Sequence, residues 1–399
     1  MKKKILIASF DLAIGGVERS LIGLLNQLDY STYDVDLMLF KHEGEFLPFL
    51  PEGPHLLDEV PQYATFRKSI YQILKEGYYP IGVSRLLARS LSSIHGKIKR
   101  IDEPGYLAIQ YGWEMSTPFL PKLNKEYDVA IGFLWPHHFI GEKVKAKKKI
   151  GWIHTDYSNI YVNKKLESHM WNKLDNIVAV SNDCSKTFLN IFPSFKGKTS
   201  VIENVLSPLI IREQANLEMP TEIKKLPGKT ILVTVGRFSH AKGLDYAIRA
   251  CKELLDTGYD VEWYVVGYGP LEDELNKLIN ELNLKDRFFL LGKKINPYPY
   301  IKACDIYVQP SRYEGKAVTI REAQILGKPV VMTNFPTAKS QARDEYDALI
   351  TPLSTSGIVK GIKRLVDNED LRARLISNIR KKDYGNETEV EKLYQLIEA

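Results

Sequence analysis

Short apolar runs alternate with amphipathic stretches along the chain, and the alternation occurs twice. In the first half, residues 5–9, 35–40, 129–133, 149–153 and 176–180 are short, β-branched or aromatic, and bounded by polar residues or glycine. That pattern predicts strands. Val17, Leu21, Leu24, Leu25 and Leu28 recur at helical spacing and predict a helix over 17–28. The second half repeats the scheme, with strands expected at 231–235, 261–266, 288–291, 306–309 and 330–332. Helices are expected near 243–256, 271–282, 319–325 and 358–368. Such alternation predicts parallel sheets with crossover helices. Two such units predict an α/β protein of two Rossmann-like, doubly wound domains facing one another.

Pro208, Pro220, Pro227 and Gly228 punctuate residues 207–228, and charged residues without clear periodicity fill the stretch. It reads as a linker between a first domain, 1–206, and a second, 229–380. Residues 381–399 end in a short amphipathic helix, with Val390, Leu393, Leu396 and Ile397 on one face, which could pack back on the first domain. No repeat of fixed period is visible.

Composition narrows the picture. A chain of 399 residues accommodates two or three domains, and its 44% hydrophobic and 26% charged residues are ordinary for a globular protein. No apolar run reaches the length of a membrane span. The opening Met1-Lys2-Lys3-Lys4 precedes an apolar run that stops at Asp11 without a small-residue cleavage site, so a buried first strand is expected rather than a signal peptide. A cytoplasmic location follows as the expectation. Cys184, Cys251 and Cys304 are odd in number and far apart, which argues against a disulfide framework or a structural zinc site.

Four features could carry chemistry. Gly15-Gly16 falls between the first predicted strand and the first helix. Ligands of doubly wound sheets bind outside the carboxyl ends of strands, and a helix N-terminus there offers free N–H groups to an anion. A plain tight turn is the alternative, and the incomplete glycine fingerprint argues against a nicotinamide dinucleotide. Gly236-Arg237-Phe238 with Lys242-Gly243 takes the same place in the second half. Two cations five residues apart suit a diphosphate, although a solvated loop would carry them too. Glu314-Gly315-Lys316-Ala317-Val318 follows the strand at 306–309, with Glu322 about a turn into the next helix. Both carboxylates could accept from sugar hydroxyls, or be incidental acids. His154 ends Gly151-Trp152-Ile153-His154 at a strand's carboxyl end, where it is expected to point into the interdomain cleft, unless it is structural.

Together these residues resemble family 4 of the retaining glycosyltransferases, which have the GT-B fold. The resemblance spans the chain and is strongest over 231–349. It is carried by Val235-Gly236-Arg237, Lys242-Gly243, Val266-Gly267-Tyr268-Gly269-Pro270, Leu291-Gly292 with Asn296-Pro297-Tyr298, and Ser311-Arg312-Tyr313-Glu314-Gly315. The Glu314/Glu322 pair and the opening Gly15-Gly16-Val17-Glu18-Arg19 complete it. The resemblance implies transfer of a sugar from a nucleotide donor, a UDP-sugar, to a glycan or lipid-linked acceptor in surface polysaccharide synthesis. It implies retention of anomeric configuration and no metal or other cofactor. Arg237 and Lys242 would bind the donor diphosphate and stabilise it as it leaves. Glu314 would contact the hexose hydroxyls and Glu322 the ribose. Gly236 and Gly267 would belong to the donor site. Backbone N–H groups at Lys316, Ala317 and Val318, beside Gly315, would hold the diphosphate or sugar. Lys294 and Ile295 would meet the base. Gly15 and Gly16 would close over the diphosphate from the first domain, and His154 would lie near the transferred sugar. Lys316-Ala317 departs from the Phe-Gly or Leu-Pro that many members carry after Glu-Gly, so the sugar is not implied.

Two other readings fit the same architecture. A non-catalytic partner subunit of a transferase complex would be expected to lose the cations or the paired glutamates, yet all four stand here. A sugar-nucleotide epimerase is disfavoured by the motif order. Asp34-Val35-Asp36 matches the metal-holding Asp-x-Asp of some sugar-nucleotide transferases, but it starts a strand and reads as a pair of surface acids.

The net charge of +6 is unevenly placed. Residues 62–100 hold eight basic residues and one acid, Glu76, a local +7 that exceeds the whole chain's balance. The basic residues are interleaved with Phe66, Tyr71, Leu74, Leu87, Leu91 and Ile98, among other apolar ones. That suits an interfacial helix on an anionic membrane surface, the inner face of the plasma membrane, or a solvated helix whose apolar face is core. Nucleic acid is not an expected partner, since no recognition motif or basic-aromatic platform is present.

Overall fold

In the computed structural model, residues 2–13, 15–101, 105–134, 136–217, 219–314 and 316–399 are described. They form two compact units: 1–205 together with 387–399, and 206–386.

The first unit is built on a seven-stranded parallel sheet of order β3-β2-β1-β4-β5-β6-β7. The strands are β1 (Lys3–Ser9), β2 (Tyr33–Leu39), β3 (His55–Leu56), β4 (Glu126–Phe133), β5 (Lys145–Ile153), β6 (Asn176–Ala179) and β7 (Thr199–Val201). Ile5 pairs with Val35 on one side and Val129 on the other. Successive residues of a strand point to opposite faces. Ile5 and Ile7 therefore enter one apolar core, and Leu6 and Ala8 the other. Burial on both faces explains the unbroken apolar run. Helix Gly16–Gln27 buries Leu21, Leu24 and Leu25. The C-terminal helix, Glu389–Glu398, puts Val390, Leu393 and Ile397 into the same core.

The second unit holds a six-stranded parallel sheet of order β10-β9-β8-β11-β12-β13. Its strands are β8 (Thr230–Val235), β9 (Val261–Val266), β10 (Phe288–Leu290), β11 (Ile306–Gln309), β12 (Val330–Thr333) and β13 (Leu349–Thr351). Ile231, Val233 and Val235 face one core and Leu232 the other. Helix Leu244–Asp256 buries Leu244, Ala247, Ile248, Cys251 and Leu254, a stripe at helical spacing. All three cysteines are buried and free, and burial pushes the thiols of Cys251 and Cys304 up to about 12.

Two expectations need correction. The stretch 207–228 is not a bare linker: it contains helix Pro208–Gln214, and Ile211 and Ala215 lie in the second unit's core. Proline at the first helical turn starts that helix instead of breaking it. Asp34 is exposed as expected, but Asp36 is not a surface acid. It is buried and accepts from the Tyr127 hydroxyl at 2.6 Å while pairing with Lys125 at 2.7 Å. Among the described residues, no group of three or more histidines, cysteines or acids gathers as metal ligands.

Candidate functional site

The strand order of the second sheet reverses direction between β8 and β11, and crevices at such a switch point are where doubly wound sheets bind ligands. Lys242 lies in the loop after β8 and Glu314 in the loop after β11. The structure brings them together, with Lys242 Nζ 2.6 Å from Glu314 Oε1.

That oxygen is the hub of a buried polar network. It also accepts from Ser311 Oγ at 2.6 Å and from Gln309 Nε2 at 3.0 Å. The Gln309 carbonyl oxygen accepts from the hydroxyls of Tyr307, at 2.8 Å, and Thr319, at 3.1 Å. Two hydroxyls thereby fix which way the amide faces, so its N–H₂ points at Ser311 and Glu314.

Further contacts join the two loops. The Arg312 guanidinium forks onto Asp245 at 2.7 and 2.6 Å and stacks on the Tyr246 ring. The Arg312 N–H donates to Ala241 O at 2.7 Å. Gly243 has φ +61°, and a Cβ there would sit 2.1 Å from Pro310 O, so both backbone conformation and close approach require glycine. A Cβ on Gly267 would fall 1.9 Å from Gly236 O, so the loop after β9 requires glycine where it meets the loop after β8.

Arg237 is exposed on the loop after β8 and makes no ion pair among the described residues. Helix Val318–Ile325 starts beside Glu314 without a side-chain cap. Of its expected anion donors, the Ala317 N–H is taken by Gln341 Oε1 at 2.8 Å and the Val318 N–H by Lys316 O at 3.1 Å. A ligand using those groups would displace Gln341. Gly315 lies outside the described residues. Glu322 is fully buried and accepts from the Tyr298 hydroxyl at 3.1 Å. Lys294 pairs at 2.6 Å with Glu222, which also accepts from Tyr300, while Ile295 is exposed beside it.

The first unit's candidates have a different setting. Gly15 is extended, and a Cβ on it would lie 2.1 Å from Glu18 Oε2, so the Glu18 carboxylate folds over the start of helix Gly16–Gln27. Gly16 has open space beside it. His154 follows the end of β5 with its ring 4.5 Å from that of Phe133. Its Nε2 is enclosed without a hydrogen-bond partner. Burial, helped by neighbouring His137, pushes its pKa down to about 3, so the imidazole is neutral.

Gln309, Ser311, Gln341 and the Arg312–Asp245 clamp were not among the site residues expected from sequence. Gln309 and Ser311, at the carboxyl end of an apolar strand, are both fully buried, which their neutral polar side chains do not signal in the sequence.

Residues 217–382 match the family model of glycosyl transferases group 1. An uncharacterised glycosyltransferase of Methanocaldococcus jannaschii is 24% identical over 258 residues, 56% of this chain and 64% of the relative. The N-acetylgalactosamine-N,N'-diacetylbacillosaminyl-diphospho-undecaprenol 4-alpha-N-acetylgalactosaminyltransferase of Campylobacter jejuni is 29% identical over 219 residues, 54% of this chain and 57% of the relative. The matched stretches thus span less than two thirds of either relative. The crystal structure of Anabaena HepE in complex with UDP covers 99% of both chains with a TM-score of 0.65 at 16% identity, a likeness of fold. The second unit therefore matches the glycosyl transferases group 1 model over 217–382, and the two Rossmann-like units give the chain the GT-B fold.

Proposed function

We propose that this chain is a retaining glycosyltransferase of the family 4 type that moves a sugar from UDP to a lipid-linked or glycan acceptor without a metal. The observation that carries the reading is the Lys242–Glu314 pair at the switch point between β8 and β11, with Arg237 on the same loop as Lys242. When a nucleoside diphosphate departs, negative charge develops on a phosphate oxygen, and preplaced cations lower the energy of that state. Lys242 and Arg237 supply them, and Glu314 offers a carboxylate to sugar hydroxyls. The carboxylate's hydrogen-bonded network keeps it in place without further reorganisation.

The donor is proposed as UDP because the Anabaena structure is a complex with UDP. A lipid-linked acceptor is proposed because the Campylobacter relative is named for a diphospho-undecaprenol substrate. The test is release of UDP from UDP-sugars, with polyprenyl-diphosphate saccharides as acceptors. Arg237→Ala, Lys242→Ala and Glu314→Ala are expected to slow turnover by about 10²–10³-fold each. EDTA is expected to leave the rate unchanged. Full activity in all three variants would overturn the reading.

A further inference from the structure

Helix Tyr79–Lys99 is 21 residues long, so it runs for about 30 Å. Its buried side is made of small residues: Gly82, Ser84, Ala88, Ser92 and Gly96 are buried, with Ile81 as the large exception. This face packs against helix Gly105–Ser116. The large residues point the other way. Val83, Leu87, Leu91, Ile94 and Ile98 follow one another at steps of four, four, three and four, which places them on one stripe. All five are exposed, Leu91 by 45% and Ile98 by 72%. Leu86 and Tyr79 widen the stripe, and Tyr71 on the preceding helix, Ile70–Lys75, adds an aromatic ring at 75% exposure. An apolar face of this length on a soluble surface marks a binding surface.

Charge decides what it binds. The helix carries Arg85, Arg89, Lys97 and Lys99 and no acid, and Arg100 follows it. Other cations of the basic segment are engaged internally: Arg67 pairs with Asp11, Lys68 with Glu76 at 2.6 Å, and Arg85 donates to Thr65 O at 2.6 Å. Arg89, Lys97, Lys99 and Arg100 are exposed, the last three at the helix's C-terminal end. A second copy seated on this face would bring like charges together with no acid on the helix to pair them. An anionic bilayer offers hydrocarbon to the stripe and headgroup phosphates to the cations. Among the described residues no helix is long and apolar enough to cross a membrane, so the contact is one of lying on the surface.

We infer that helix Tyr79–Lys99 is a membrane-docking element, which seats its Val83–Ile98 stripe in the interface of an anionic lipid bilayer. The inference stands apart from the transferase reading, since it needs no donor, acceptor or turnover.

The experiment is cosedimentation of the full chain with phosphatidylglycerol-containing vesicles and with pure phosphatidylcholine vesicles, at low and high salt. Binding is expected to the anionic vesicles, weakening as salt rises. Leu91→Glu should reduce it by at least about tenfold, because the charge enters the apolar stripe. Leu91 is exposed, so the fold should survive, and an unchanged circular dichroism melt checks that. Arg89→Gln should cost about fivefold without touching the stripe. Absence of binding to anionic vesicles at low salt overturns the inference, as does undiminished binding by Leu91→Glu. Dimerisation that Leu91→Glu abolishes, with no vesicle binding by the parent chain, would assign the face to a second copy instead.

Discussion

The two units share a strand order and differ in what stands at its switch point. In each sheet the first three strands run outward to one edge and the rest to the other, from β1 and β4 in the first unit and from β8 and β11 in the second. After β8 the chain presents Arg237 and Lys242. After β1 it presents Asp11 and Glu18, two acids close enough that Asp11 adds to the burial that raises the Glu18 pKa. Arg67 reaches in from residues 62–100 to pair with Asp11. The loop after β8 thus carries cations where the loop after β1 carries acids, one of them paired with Arg67. Topology therefore supplies a place for a ligand, and the side chains of the loop decide which ligand it is. The family match, confined to 217–382, falls on the unit with the cations.

Reversing one charge should break the contrast most strongly. Lys242→Glu would set a second carboxylate against Glu314, so UDP affinity measured by calorimetry should fall by about 10²–10³-fold. Glu18→Gln in the first unit should cause no loss of UDP affinity in the same titration. An equal loss in both variants would overturn the contrast.

Each unit also buries a glutamate, and the two have different surroundings. Glu167 accepts from Gln110 at 2.5 Å, Tyr157 at 2.5 Å and Trp171 at 3.1 Å, a set of donors within the first unit's interior. Glu322 sits in the helix that begins beside Glu314. Glu167→Gln turns one acceptor into a donor and should lower stability by about 1–3 kcal/mol in urea unfolding, with UDP affinity unchanged. Glu322→Gln should do the reverse, weakening UDP binding by about tenfold or more while shifting the urea midpoint little. Loss of stability without loss of affinity in Glu322→Gln would make it a structural acid like Glu167.

The central strands were legible because burial on both faces leaves an uninterrupted apolar run, as at Ile5–Ala8. The short edge strands β3, β7 and β13 were not, since they lie in no apolar run of four or more, whereas the equally short edge strand β10 lies in Phe288-Phe289-Leu290-Leu291. β5 begins five residues before its apolar run at Ile150, where Lys145 and Lys147 pair with Glu126 and Asp128 at the sheet's end. Arg237, Lys242 and Glu314 could be placed from charge, spacing and position after a strand. Gln309, Ser311 and Gln341 could not, because neutral polar side chains carry no signal until their partners are known. Glu222 escaped because proline and charge made its surroundings look like a linker. Helix Tyr79–Lys99 shows a different limit. Its periodicity is evident, but small residues face the protein and large ones face out, so the usual rule for choosing the buried face gives the wrong side.

The smallest expected effect is a difference in acid tolerance. Seven of the eight histidines lie in the first unit, with His240 alone in the second. His137 is buried against the Trp171 ring, and its Nε2–H donates to Trp152 O at 3.2 Å. Burial holds both His137 and His154 down to about 3, well below the ordinary value of 6.5. The folded unit therefore keeps both rings neutral across a range where the unfolded chain takes up protons. The unfolded state binds more protons between about pH 3 and 6.5, so stability is full above that window and is lost as pH falls through it. Moving from pH 7.5 to 5.5 should cost the first unit about 1 kcal/mol for each ring. Hydrogen-exchange mass spectrometry separates the two units by sequence, and protection should drop first across β4, β5 and β6. His137→Asn should be less stable at pH 7.5 yet lose about half as much on acidification as the parent chain. Equal acid sensitivity of the two sheets, or an unchanged pH dependence in His137→Asn, would remove the histidines as the source of the difference.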